Sequence, residues 1–154
     1  MCSSDLAEKN LVLDKRQEEA IRAEARKQAK LLCEESEREI AEAHKEMKME
    51  AERHFLQEAK TGGLELTHNK EVGRYRIDFS VVEDGQPTHC NISILGEKWH
   101  KNKLPHDFAR MRDLTKAGEL MIPFTARQVF ADPSKCVSEV KSIFSKWRQS
   151  LASA

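Results

Sequence analysis

Not one glycine or proline occurs in the first 60 residues of this 154-residue chain; all six glycines and all four prolines come later. A stretch without either has no ready chain reversal and no helix break. Bulky rings are as unevenly spread, with Phe55 the single aromatic residue before position 61. An excess of one charge is missing too: 26 Lys+Arg stand against 26 Asp+Glu. That balance excludes the simplest kind of basic nucleic-acid-binding protein, one that draws its partner by a large net charge. No apolar run approaches the ~18 residues of a membrane span, and Met1-Cys2-Ser3-Ser4-Asp5 has no basic start of a signal peptide. Cys2, Cys33, Cys90 and Cys136 form no C-x-x-C pair, so neither a disulfide framework nor a zinc finger is encoded. His100, His106 and Cys90 lack a fourth zinc ligand. The expected setting is intracellular, cytoplasmic or at a nucleoid or nucleus, with no membrane partner.

What is present divides in two. Residues 1–60 hold 12 Lys+Arg and 15 Asp+Glu, a net of −3, whereas 61–154 hold 14 and 11, a net of +3. The halves meet at Thr61-Gly62-Gly63, giving residues 1–61 as a long charged helix and 62–154 as a compact domain. From Asp5 to Lys60 the strongest helix formers dominate. Asp5 with Glu8 reads as a capping pair, and Gly62-Gly63 as a stop. Apolar residues recur every eleven positions: Ile21, Leu32 and Ala43; Ala29, Ile40 and Ala51; Ala25 and Met47, with Ser36 interrupting that last row. Eleven residues in three turns keep a stripe nearly straight. It is thin and Ala-rich, and by itself too weak to specify a dimer. Two readings stay open: a coiled-coil arm for a protein partner or for self-association, and a solvated helix held by pairs such as Glu18 with Arg22 and Glu34 with Arg38.

The second half alternates. Tyr75, Ile77, Phe79 and Val81 share one face of a strand, with Arg74, Arg76, Asp78 and Ser80 on the other. Glu83-Asp84-Gly85-Gln86-Pro87 predicts a turn, and Thr88–Leu95 a second strand with Cys90, Ile92 and Ile94 in phase. A short strand is expected near Leu64–Thr67. Pro105 opens a helix that ends at Ala117-Gly118. Leu120–Phe124 reads as a strand, and Asp132-Pro133-Ser134 caps a final helix through Leu151 with Val137, Val140, Ile143, Phe144 and Trp147 at helical spacing. The predicted class is α/β or α+β: a small mixed sheet flanked by helices, its last strand returning by a crossover.

Several pieces in this order resemble a known family. Gly73-Arg74-Tyr75-Arg76-Ile77-Asp78-Phe79, Ile92-Ser93-Ile94-Leu95-Gly96-Glu97-Lys98-Trp99-His100, Arg110-Met111-Arg112-Asp113-Leu114, Ala117-Gly118 and Phe124-Thr125-Ala126-Arg127-Gln128-Val129 are spaced as in the very-short-patch-repair (Vsr)-like endonucleases of the PD-(D/E)xK superfamily. The resemblance spans roughly residues 50–147. It implies a restriction-endonuclease-like fold and a catalytic set of Asp78, His100, Glu52 and Asp113, with Asp78 holding Mg2+ or Mn2+. Carboxylates of that kind place a metal that polarises a phosphate and activates water, while a histidine moves a proton. The resemblance further implies DNA, with RNA as the alternative, held by Arg74, Arg76, Lys98, Lys101, Lys103, Arg110 and Arg112. The chain departs from the pattern where relatives carry two carboxylates at the end of the second strand, since Ser93 and Leu95 stand there. Ala109 replaces a common helix aspartate, and Pro123 an arginine.

Three functions follow. One is a metal-dependent DNA endonuclease. Another is a catalytically degraded nuclease fold acting as a nucleic-acid-binding or protein-interaction module. The third is a structural protein that works through its long helix.

Overall fold

The computed structural model describes residues 3–96 and 104–154, with side chains for 14–96 and 105–154. Helix α1 runs Ser3–Thr61 and is followed by strands β1 (Leu66–Val72), β2 (Tyr75–Glu83) and β3 (Gln86–Leu95), helix α2 (Leu104–Lys116), strand β4 (Leu120–Thr125), and helices α3 (Ala126–Ala131) and α4 (Pro133–Ala152). The class is mixed α+β. Among the described residues no helix is long and apolar enough to cross a membrane.

Glycine does stop the first helix. Gly63 adopts φ +72°, the Gly63 amide donates to the Lys60 carbonyl at 3.3 Å, and the Leu64 amide reaches the Ala59 carbonyl at 2.8 Å. This paired closure satisfies carbonyls that the helix end leaves open. The chain divides into two compact units, 1–42 and 43–154, so the division falls inside α1 rather than at Gly62-Gly63. Ala51, Phe55 and Ala59 explain why: spaced by four, they lie on one face of α1 and are fully buried in the core of the second unit. In the first unit every side chain from Asp14 to Glu42 is exposed. Glu18 pairs with Arg22 at 3.8 Å as expected, whereas Glu34 takes Lys30 at 3.9 Å instead of Arg38.

In the second unit the sheet order is β1-β2-β3-β4, antiparallel through β3 and parallel between β3 and β4, with α2 carrying the crossover. Asp84 (φ +52°) and Gly85 (φ +74°) form the two-residue β2–β3 turn, both in the left-handed region that such hairpins use. Strand β3 consequently starts earlier than Thr88 and takes Pro87 opposite Val82. On one sheet face Phe79, Val81, Cys90, Ile92, Ile94 and Phe124 share a core with residues of α1, α3 and α4, the Phe55 ring lying 5.8 Å from Phe79 and 5.9 Å from Phe124.

Two features differ from the sequence expectation. Helix α3 was not foreseen; Thr125 caps it, with a reciprocal bond from the Thr125 amide to the Gln128 side chain. Part of the polar face of β2 and β3 is closed to water: Ser80, Asn91 and Ser93 are buried, as is Glu119 just before β4, while Arg76 on the same face is exposed.

Candidate functional site

The site starts where the β2–β3 ladder reaches Phe79 opposite Ile92. Next to that pair the Asp78 carboxylate bridges the strands: its Oδ2 accepts the Ile94 amide at 2.8 Å and the Ser93 hydroxyl at 3.3 Å. Its Oδ1 accepts the Lys48 ammonium at 3.1 Å. Lys48 lies one turn before Glu52 on α1, and its Nζ is 3.4 Å from Glu52 Oε1. Two carboxylates from different elements thus share one cation, and that cation is a lysine.

Burial, and then the neighbouring Asp78 charge, push the Glu52 carboxyl above its ordinary range, with Lys48 opposing both. One turn further back, His44 Nδ1 is buried with no hydrogen-bond partner among the described residues. Ser93 stands where the family resemblance expects a carboxylate. It brings a donor to Asp78 where an acid would have brought a second charge.

The donor set does not suit a divalent ion as it stands. Mg2+ demands octahedral oxygen coordination, commonly with one or two carboxylates and water. Here Lys48 fills the position between Asp78 Oδ1 and Glu52 Oε1, so a metal must first displace it. Among the described residues no group of three His, Cys, Asp or Glu side chains converges.

Asp113 is engaged elsewhere. Its Oδ2 accepts the Tyr75 hydroxyl at 2.6 Å and the Arg74 guanidinium at 3.4 Å, and the Tyr75 bond above all holds its carboxyl below the usual range. That contact belongs to a basic edge where the start of β2 meets α2. Arg110 Nη2 donates to the Arg76 carbonyl at 2.8 Å, and Arg76 Nε donates to Asn69 Oδ1 at 3.0 Å. Arg74, Arg76 and Arg112 are exposed. Ser93 and Arg110 also line a largely apolar cavity of about 50 Å3, together with Leu95, Phe108, Met111 and Leu114. Lys98, Trp99, His100, Lys101 and Lys103 lie outside the described residues.

Sequence reasoning overlooked Lys48, although its place four residues before Glu52 was a usable signal. It also overlooked a second polar cluster. Glu119 accepts Lys70 at 2.9 Å, His89 at 3.0 Å and Asn91 at 2.6 Å, and Asn91 in turn accepts the Ser80 hydroxyl. The Cys90 thiol, pushed by burial to about 11, is no nucleophile at neutral pH.

No protein-family model, no curated protein and no solved structure matches the chain.

Proposed function

We propose that this protein is a nucleic-acid-binding module on a nuclease-like α+β scaffold, gripping phosphates with the arginine edge of β2 and α2 and carrying no cleavage chemistry. The basic edge carries this reading: Arg76 of β2 and Arg110 of α2 are tied by the Arg110 bond to the Arg76 carbonyl, and Arg74, just before β2, donates to Tyr75 and Asp113 beside them. Guanidinium groups clustered in this way suit phosphate oxygens, which fix a strand in place without reading its sequence. Lys48 supports the same reading. An ammonium seated between Asp78 and Glu52 stabilises the two acids without any metal, as a scaffold relieved of catalysis requires.

The test is fluorescence anisotropy with duplex DNA, single-stranded DNA and RNA across a salt series. Binding is expected to weaken linearly in log–log form, and the slope of Arg76→Gln/Arg112→Gln should be shallower by about 0.7–0.9 per lost phosphate contact. Absence of binding at low salt, or an unaltered slope, would overturn the reading.

One observation favours a second reading, a metal-dependent endonuclease: Glu52 and Asp78 already converge on a single cation. Under that reading Mn2+ or Mg2+ displaces Lys48 and the protein nicks supercoiled DNA. Nicking that Asp78→Ala abolishes would replace the binding-only reading; intact plasmid at every metal concentration would retire the endonuclease.

A further inference from the structure

The first unit, residues 1–42, exposes an apolar row whose spacing is symmetric. Ile21, Ala25, Ala29, Leu32, Ser36 and Ile40 follow one another at intervals of 4, 4, 3, 4 and 4. The centre of the row falls between Lys30 and Leu31, so Ile21 mirrors Ile40, Ala25 mirrors Ser36 and Ala29 mirrors Leu32. The large side chains stand in water: Ile21 is 69% exposed, Leu32 65% and Ile40 45%.

Charge is distributed about the same centre with opposite signs. Residues 21–30 contain Arg22, Arg26, Lys27 and Lys30 against Glu24, whereas the mirrored 31–40 contain Glu34, Glu35, Glu37 and Glu39 against Arg38. We infer that this helix is an antiparallel homodimerisation arm, whose partner is a second copy of the same chain rotated about the Lys30–Leu31 centre. In that arrangement the basic half of each arm lies along the acidic half of the other. Residues 21–30, with a net charge of +3, thus run beside residues 31–40 of the second copy, with a net charge of −3. Ile21 meets Ile40 of the partner subunit, and Leu32 seats over the small Ala29 of the partner subunit. A parallel pair in register would set each charge against its own copy, and flanking charges are what select orientation in paired helices. The thin row supplies contact, and the charge halves supply the specificity it lacks. Existing in-chain pairs do not prevent this, because Glu18–Arg22 and Lys30–Glu34 are exposed, near 4 Å, and free to exchange partners.

Sedimentation of the full chain tests the inference, with far-UV circular dichroism to confirm that each variant keeps its helix. The native chain should be a dimer that salt weakens. Glu34→Lys/Glu35→Lys/Glu39→Lys and Arg22→Glu/Arg26→Glu/Lys27→Glu should each weaken self-association by more than about a hundredfold, and mixing the two should restore a dimer. Orientation is read by disulfide trapping on a Cys2→Ser/Cys33→Ser background. Ile21→Cys mixed with Ile40→Cys should cross-link, and neither should cross-link to itself. A native chain that stays monomeric at all concentrations overturns the inference. Self-cross-linking of Ile21→Cys alone, the signature of a parallel pair, overturns it equally.

Discussion

At the scale of single residues, the buried Glu119 and the half-buried Glu52 are two acids shifted in opposite directions. Burial raises the Glu119 carboxyl, but the bonds from Asn91, His89 and Lys70 together outweigh it, leaving the group below the ordinary 4.5. A folded value below the unfolded one means the unfolded chain takes up the proton first. Glu119 therefore contributes stability at neutral pH that is lost as pH falls through its folded value. Glu119→Gln should cost about 2–4 kcal/mol in urea unfolding at pH 7, because it leaves the largely buried Lys70 ammonium without its countercharge, and less once acid has protonated Glu119 in the native state. For Glu52 the folded value lies above 4.5, so the native state holds its proton longer and stability declines as pH rises through that interval. Glu52→Gln should flatten that decline in stability as pH rises above 4.5. The two acids were not equally legible. Glu52, one of fifteen acids before residue 61, was singled out only by the family resemblance, whereas Glu119 follows Gly118 as an ordinary loop acid. Its partners lie 28 to 49 residues away, at separations that no local pattern encodes.

At the scale of elements, end chemistry was readable and coverage was not. Asp132-Pro133 predicted the start of α4, and the structure has Asp132 Oδ1 accepting the Lys135 amide at 2.9 Å with proline in the first turn. Asp132→Ala should therefore cost about 1 kcal/mol, or roughly 2–4 °C in Tm for a chain of this size, while Asp132→Asn should keep most of it. The Thr125-x-x-Gln128 signature of α3 was present in the same sense, but it adjoins β4 directly and its six residues are too few to show helical periodicity. The polar face of β2 and β3 failed for a different reason. Alternation says which side of a strand is apolar; it does not say whether another element lies over the polar side. Ser80, Asn91 and Ser93 are covered, and that burial makes their hydrogen bonds to one another, to Glu119 and to Asp78 structurally significant. The site was legible to the same degree. Asp78 and Glu52 do share a cation, but Lys48 supplies it, and Asp113 belongs with Tyr75 and Arg74 instead.

At the scale of the molecule, the zero net charge is a sum over parts held by different forces. Every side chain from 14 to 42 is exposed, so that part of α1 rests mainly on backbone bonds and weak exposed ion pairs. Ala51, Phe55 and Ala59 on the same helix are fully buried, which ties their turns to the global stability of 43–154. Protection from hydrogen exchange should consequently step up along one continuous helix. In dilute protein, peptides from 14–42 should exchange at least about a hundredfold faster than those covering 51–59. Phe55→Ala removes a ring that packs on Phe79 and Phe124 and should cost about 3–5 kcal/mol, lowering protection in 51–59 and in the sheet while leaving 14–42 unchanged. Raising the concentration reverses the contrast. If two arms pair about the Lys30–Leu31 centre, protection should grow across 21–40 with concentration and fall again with salt, while 51–59 stays constant. Uniform protection from 14 to 59 in dilute protein would mean that α1 opens as one body, and the division at Glu42 would then have no energetic meaning.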